Sequence, residues 1–364
     1  MCTQQNKQLF LLSIFISSHI SADVGAFFSN VKNKISNTAS SAKKYAGHGV
    51  NFVKSTTETS SILSMIKDIN FSQSRWLELP DKMPLSKAVF LGTHNSFSTL
   101  PVFKIYNQHV LSIRQQLDYG VRGLMPDTYL FEGTVQLCHG GCSGAPAIFQ
   151  AGSAHPPYQK FSTLLQEIYA WLVENPREIV FLFLENYAPE EELDASIEAV
   201  QPLLPLIVTT ENWTQYGLDH GQDVTIGQLR HDNKRIMIFN SLPDTRWTMQ
   251  QWDRVAENSY STTDPQRLCL QRKESFSFKS LPRPLLLMNY FKEVTATMKD
   301  SMQMHTYDNI SHAIDRCFTQ FHNKTPNFIF IDRLESLGVI HKNHVLDVLD
   351  LINTLNSNTM QHIP

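Results

Sequence analysis

The chain has 364 residues, 42% of them hydrophobic and 18% charged, with 31 Lys+Arg against 34 Asp+Glu for a formal net charge of −3. That balance excludes a disordered chain and a polytopic membrane protein, and it offers no global basic field to hold nucleic acid. The length accommodates two ordinary domains, or one α/β barrel with an extension.

At the N-terminus Lys7 precedes an apolar run from Leu9 to Ile16, followed by small and polar residues up to Ala22. A positive n-region and a short apolar h-region are two of the three parts of an export signal. The third, the cleavage site, is weakened by Ile20, which leaves an uncleaved N-terminal helix as the alternative. The expectation is a signal over 1–22 and a secreted or periplasmic protein. No stretch approaches the ~20 apolar residues that span a bilayer. Residues 23–74 are rich in Ser, Asn, Thr and Lys, with apolar clusters at Phe27, Phe28, Val31 and Ile35 and again at Ile62, Leu63, Met65, Ile66 and Ile69. Such clusters suit amphipathic helical segments that dock on the main domain or touch a membrane. Of the five cysteines, Cys2 would leave with a signal; Cys138, Cys142, Cys269 and Cys317 are compatible with buried thiols or with one or two disulfides.

From about residue 75 short apolar runs alternate with amphipathic stretches. The strand candidates are Ala88–Ser96, Arg122–Leu130, Val135–Gly140, Glu178–Asn186, Arg235–Asn240, a weak one near Glu257–Thr262, Pro284–Phe291 and Asn327–Asp332. Several are near-continuous Val/Ile/Leu/Phe runs, as expected for strands buried on both faces of a parallel sheet. Eight such runs with mostly helical connections predict an α/β fold, a TIM-type (β/α)8 barrel over 75–355, behind a helical N-terminal extension. A doubly wound open sheet is the runner-up, but no G-x-G-x-x-G follows the first strand.

Polar residues fall at the strand ends: His94 and Asn95 on the first, Asp127 on the second, His139 on the third, Glu185 and Asn186 on the fourth, Asn289 on the seventh and Asp332 on the eighth. In a parallel barrel those ends converge on one face, where active sites lie. Two imidazoles across a substrate supply a general base and a general acid, the equipment for phosphodiester cleavage. Asn95, Asp127 and Glu185 are hard oxygen donors of the kind Ca²⁺ or Mg²⁺ prefers. Asp332 is placed to hydrogen-bond one histidine and fix its tautomer. Cys138 adjoins His139 but would point to the opposite face of a strand, and no G-x-S-x-G elbow is present, so thiol and serine-triad hydrolases are disfavoured. His109, His155, His305, His312, His341 and His344 lie outside the strand-end set and read as surface or packing residues.

The blocks FLGTHNSFST, QLDYGVRGLMPDTYLFEG, LCHGGC, NPREIVFLFLENY, LLLMNYF and PNFIFID, in this order over roughly 75–340, resemble phosphatidylinositol-specific phospholipase C X-domains, most closely the single-domain X-domain-containing proteins of the PLC-like phosphodiesterase superfamily. The resemblance implies a barrel in which two histidines activate the lipid's own inositol 2-hydroxyl. By position His94 would be the first of them, His139 the general acid on the diacylglycerol oxygen, and Asp332 the carboxylate that orients a catalytic histidine. Asn95, Asp127 and Glu185 match calcium ligands of the eukaryotic enzymes. One departure stands out: Met125 occupies the place of a second carboxylate in GVRGLMPD, and no arginine replaces Asp127 as in metal-independent members. The sequence thus shows no evident positive charge for a phosphorane-like transition state, and a divalent cation, Ca²⁺, is inferred. Arg122, Asn289 and Tyr290 are lower-ranked substrate contacts; for Arg122 a structural role is favoured, and for Asn289 and Tyr290 holding a loop is the equal alternative.

The expected function is therefore a phosphoric diester hydrolase, a phospholipase C-like enzyme acting as a monomer on a phospholipid, an inositol lipid, at a membrane surface. A glycerophosphodiester phosphodiesterase and a non-catalytic head-group-binding barrel are the alternatives.

Overall fold

The computed structural model describes residues 61–363 apart from 101–102, 104–106, 145–146, 148–156, 260–266, 276–284 and 293–296. The expected signal and residues 23–60 of the extension lie outside the described residues. Eleven strands form one sheet: β1 Phe90–His94, β2 Val121–Met125, β3 Asp127–Phe131, β4 Thr134–Leu137, β5 Val180–Tyr187, β6 Ile207–Val208, β7 Ile236–Asn240, β8 Met249–Gln250, β9 Val255–Glu257, β10 Leu285–Asn289 and β11 Phe328–Ile331. Parallel pairing runs β9-β10-β11-β1-β2-β5-β7-β8. The two edges of this run, β8 and β9, are separated in sequence only by the helix Gln251–Arg254. Across that seam the Gln251 amide Nε2 donates to Glu257 Oε2 at 2.6 Å. The sheet is the wall of a parallel α/β barrel of the TIM type.

Side chains alternate along a strand with period two, and this stacks the barrel interior in layers. Phe90, Phe181 and Phe328 form an aromatic layer with ring centroids 4.8–5.4 Å apart. Two residues further along, Phe183 meets Phe330 at 5.3 Å, edge to face. Phe330 lies over Gly92 and Gly123, where an added Cβ would come within 2.6 Å and 2.9 Å of its ring, so glycine is the residue that leaves room for it. Another step of two raises His94, Met125, Glu185 and Asp332 above this apolar floor. The alternation that packs the core thus also delivers the polar residues to the carboxyl ends of the strands.

Local signals set the connections. The helix Ile113–Tyr119 starts at a Ser112–Gln115 capping box and stops at Gly120, whose φ of 124° suits glycine, directly before β2. The helix Phe161–Glu174 buries Phe161, Leu164, Leu165, Ile168, Trp171 and Leu172. Before the barrel, Ile62, Ile66, Phe71 and Trp76 belong to the common core, so the last part of the extension packs on the barrel. At the other end the helix Val348–Gln361 continues past the expected boundary at 355.

Three strand expectations are corrected. The run Val135–Gly140 is not a barrel strand: β4 pairs antiparallel with β3 across Glu132 and Gly133, at φ 49° and 71°. A two-residue turn with both φ positive can only return the chain antiparallel, whereas a barrel strand needs a crossover. The run Arg122–Leu130 is two strands interrupted at Pro126, β2 and β3, both of which pair with β5. The short strands β6 and β8 are too brief to carry a periodic pattern. The weak sixth candidate lies earlier than expected, as β9, and ends rather than begins at Glu257.

Candidate active site

His94 ends β1 and is held on three sides. Its Nδ1 lies 3.0 Å from Asp332 Oδ1, its Nε2 lies 3.1 Å from Asn95 Nδ2, and its ring stacks on Phe291 with centroids 3.8 Å apart and planes at 2°. An amide nitrogen carries only donors, so His94 Nε2 accepts from Asn95 and Nδ1–H donates to Asp332. That is the neutral tautomer with its lone pair on Nε2. Asn95 reaches back to its neighbour's ring from a left-handed backbone, φ 47°, a conformation asparagine tolerates better than most residues.

Below this residue lies a buried polar support. His109, fully buried, donates from Nε2 to the His94 carbonyl at 2.8 Å and accepts the Leu334 N–H at Nδ1. It ties the end of β1 to the chain leaving β11, where Asp332 sits. Burial pushes the His109 imidazole down to about 4, so it stays neutral and keeps this donor–acceptor pattern. His305, equally buried, contacts Ser336 Oγ through Nδ1 at 2.8 Å and is pushed down to about 3 by burial. The expectation that these two are surface or packing residues is corrected for His109, whose hydrogen bonds tie the two strand ends that carry His94 and Asp332. His341 and His344 are exposed.

His139 does not end a barrel strand. It lies in the loop after β4, between Cys138 and Cys142, which form a disulfide. Burial, and then the proximity of His94, pull its pKa below the ordinary histidine value, while Glu185 and Asp332 pull the other way. The loop that follows the β3–β4 hairpin thus carries the second imidazole within electrostatic reach of His94, Glu185 and Asp332. A second disulfide joins Cys269 to Cys317.

Asp127 and Glu185 are direct partners in the β3–β5 register. Asp127 is 2% exposed, and its Oδ1 has no hydrogen-bond partner. Burial and the Glu185 charge push its carboxyl well up. Arg272 reaches the same mouth, with Nη2 3.5 Å from Glu185 Oε1 and Nη1 3.0 Å from Glu257 Oε1, and with its guanidinium 5.0 Å over the Trp252 ring. The expectation that the chain shows no positive charge at the site is thereby corrected. Arg272 follows β9 in a polar stretch whose sequence has no periodic signal, and Glu257 is read from sequence at the wrong end of its strand.

The structure places the three lower-ranked residues in packed surroundings, for Arg122 in keeping with the favoured structural role. Arg122 is 3% exposed at the opposite end of the barrel, bonded to Glu178 at 2.8 Å and lying over Trp76 and Trp171 at 5.2 and 4.8 Å. Asn289 is fully buried, donating to Glu257 Oε1 at 2.7 Å and to the Asn258 carbonyl at 3.0 Å, so it holds a carboxylate rather than facing the mouth. Tyr290 is one residue out of phase with it, and burial pushes its phenol up to about 12.

The fold and the site define a class: α/β barrels of the TIM type with a His–Asp pair and a carboxylate pair at the carboxyl ends of their strands. The family model for PI-PLC X domains matches residues 82–347, and the chain belongs to that family. A PI-PLC X domain-containing protein of Arabidopsis thaliana is 29% identical over 289 residues, 74% of this chain and 63% of that one. An uncharacterised secreted protein of Arthroderma benhamiae is 22% identical over 262 residues, 66% of this chain and 55% of that one. The chain thus spans about three fifths of the length of these curated relatives. Among solved structures, the phosphatidylinositol-specific phospholipase C of Listeria monocytogenes aligns with a TM-score of 0.47 at 15% identity, over 80% of this chain and 99% of that one. Among the described residues no helix is long and apolar enough to cross a membrane.

Proposed function

We propose that this protein is a phosphoric diester hydrolase that cleaves a phospholipid head group, an inositol lipid, by phospholipase C-like acid–base catalysis. The observation that carries the reading is the His94–Asp332 pair, with Nδ1–H given to the carboxylate and Nε2 held by the Asn95 amide, and His139 within electrostatic reach of His94. With substrate in place of the Asn95 amide at His94 Nε2, that nitrogen takes the proton of a substrate hydroxyl, whose oxygen attacks phosphorus. Asp332 orients the ring and stabilises the imidazolium that forms. His139 gives a proton to the departing diacylglycerol oxygen, leaving a cyclic phosphate.

The oxygen donors support a divalent cation at the mouth. Among the described residues, Asp127 and Glu185 stand side by side in the β3–β5 register, with Arg272 beside Glu185. The partnerless buried Oδ1 of Asp127, beside Glu185, is an oxygen donor without a donor facing it. Asn95, Asp127 and Glu185 would hold the ion through hard oxygens, as Ca²⁺ requires. Bound there, it would supply positive charge for the phosphorus-bound oxygens. Arg272 supplies a fixed charge beside it, already engaged by Glu185, Glu257 and Glu274.

Export is proposed with the function: two disulfides persist in an oxidising compartment, and the apolar N-terminal run matches a signal. The test is a phospholipid panel with and without Ca²⁺, with phosphorus NMR of the product. Cyclic inositol phosphate is expected; glycerol 3-phosphate would place the chain with glycerophosphodiesterases, and binding without turnover would make it a head-group receptor. His94→Ala and His139→Ala should each lower turnover at least ~10²-fold, and full turnover in both would overturn the assignment.

A further inference from the structure

His94 and His139 are held in different ways. Asp332, Asn95 and Phe291 fix the His94 ring. Among the described residues no side chain hydrogen-bonds to the His139 ring. Its position depends on its backbone, and that backbone is Cys138-His139-Gly140-Gly141-Cys142. Gly140 and Gly141 have φ of 66° and 126°, the region in which glycine is most at ease and an open chain least constrained. The loop also departs from β4, whose one strand partner is β3 and whose end is tied by the Leu137 N–H to the Gln159 carbonyl at 2.9 Å, short of His139. Left open, such a segment would spread the imidazole over many orientations. The Cys138–Cys142 bond, with a sequence separation of 4, closes it into a small ring around His139, and Cys138 is fully buried against the core.

We propose that the Cys138–Cys142 disulfide is the positioning element for His139, so that opening this one bond disables the acid arm of the site while the barrel stays folded. The inference rests on the reading of His139 as the general acid, and it gives that site a thiol-sensitive element. A dithiol reductant opens the bond by exchange: its thiolate attacks one sulfur, and the mixed disulfide resolves intramolecularly. Two electrons and two protons pass to Cys138 and Cys142, and the reductant leaves as its cyclic disulfide. The barrel does not depend on this bond, because its layers are apolar and β3 remains paired with β5.

Two measurements test this. In the first, the His139 ring resonances are followed by NMR in the native protein and in the double variant Cys138→Ser/Cys142→Ser, which keeps the Cys269–Cys317 bond. The native ring should give one ordered signal; the variant ring should give an averaged signal with a midpoint moved up towards the ordinary histidine value. In the second, turnover on a soluble inositol phosphodiester is compared in a cycle of the double variant with His139→Ala. The double variant alone should lose at least tenfold, and adding it to His139→Ala should cost nothing further, since both act through the same ring. An unchanged His139 signal, or losses that simply multiply, would overturn the proposal. The NMR arm needs no turnover, so a protein inactive on every substrate would sink the functional reading while still deciding this one. If the double variant does not fold, stepwise reduction of the native protein by dithiothreitol, followed at the same resonance, gives the decision.

Discussion

Replacing Asp332 by Asn tests the base arm of the site most directly. The carboxylate is 1% exposed, its Oδ1 lies 3.0 Å from His94 Nδ1, and its Oδ2 has no partner. Asn is isosteric, so packing is retained while the charge is lost. A hydrogen bond to a charged partner contributes about 1.5–3 kcal/mol. At about 1.4 kcal/mol per factor of ten, its loss when the His94 imidazolium forms lowers turnover about 10- to 150-fold. Stability should move the other way. A buried charge with one oxygen unpartnered costs desolvation, and a neutral amide relieves it, so the urea midpoint should hold or rise. The assay is steady-state turnover on a soluble inositol phosphodiester beside urea unfolding of the same samples, with His94→Ala as reference. Turnover within twofold of the parent would refute the role of Asp332. A loss of activity matched by a fall in the urea midpoint would refute the reasoning that separates function from stability here.

Other outcomes follow from the same geometry. His109 and His305 are fully buried and pushed down to about 4 and about 3. Between those values and 6.5 the unfolded chain binds more protons than the native one, so stability falls as pH drops below about 6.5. At pH 5 each costs about 2 kcal/mol; a urea midpoint constant from pH 7 to 5 would contradict this, and His109→Gln should flatten part of the fall. Gly92→Ala would drive a Cβ to 2.6 Å from the Phe330 ring, an overpacking cost of about 1–3 kcal/mol. Thermal unfolding should show it, and Phe330→Leu should recover part of the loss. Because Asp127 is pushed up by burial and by Glu185, a cation must displace a proton from it. Ca²⁺ affinity should therefore rise with pH, with proton release in calorimetry. Asp127→Asn should weaken binding at least tenfold, and pH-independent binding would remove Asp127 from the ligand set.

The fold was legible where residues repeat with a short period. Runs such as FIFI and VFLFLENY read as buried strands because two-residue alternation and apolar content are local properties, and the strand-end rule then placed His94, Asp127, Glu185 and Asp332 on one face. Val135–Gly140 failed because its pattern is that of any strand; only the two-residue Glu132–Gly133 turn, a conformational signal, distinguishes a hairpin arm from a barrel strand. Arg122 shows a structural role that was legible despite a family resemblance. It lies in a family-like block, yet period two along β2 and the aromatic pair Trp76 and Trp171 assign it to the far end of the barrel.

By itself the sequence determined the barrel class, the His94–Asp332 pair and the Asp127–Glu185 pair, since each follows from residue type and position along a strand. Tertiary structure alone decided the rest. It brought Arg272, 87 residues from Glu185 in sequence, against that carboxylate. It made His109 a brace between two strand ends, and it closed Cys138 to Cys142 around His139. These depend on which loops meet above the sheet, and loop meetings are set by long-range packing and backbone handedness, which no local periodicity encodes.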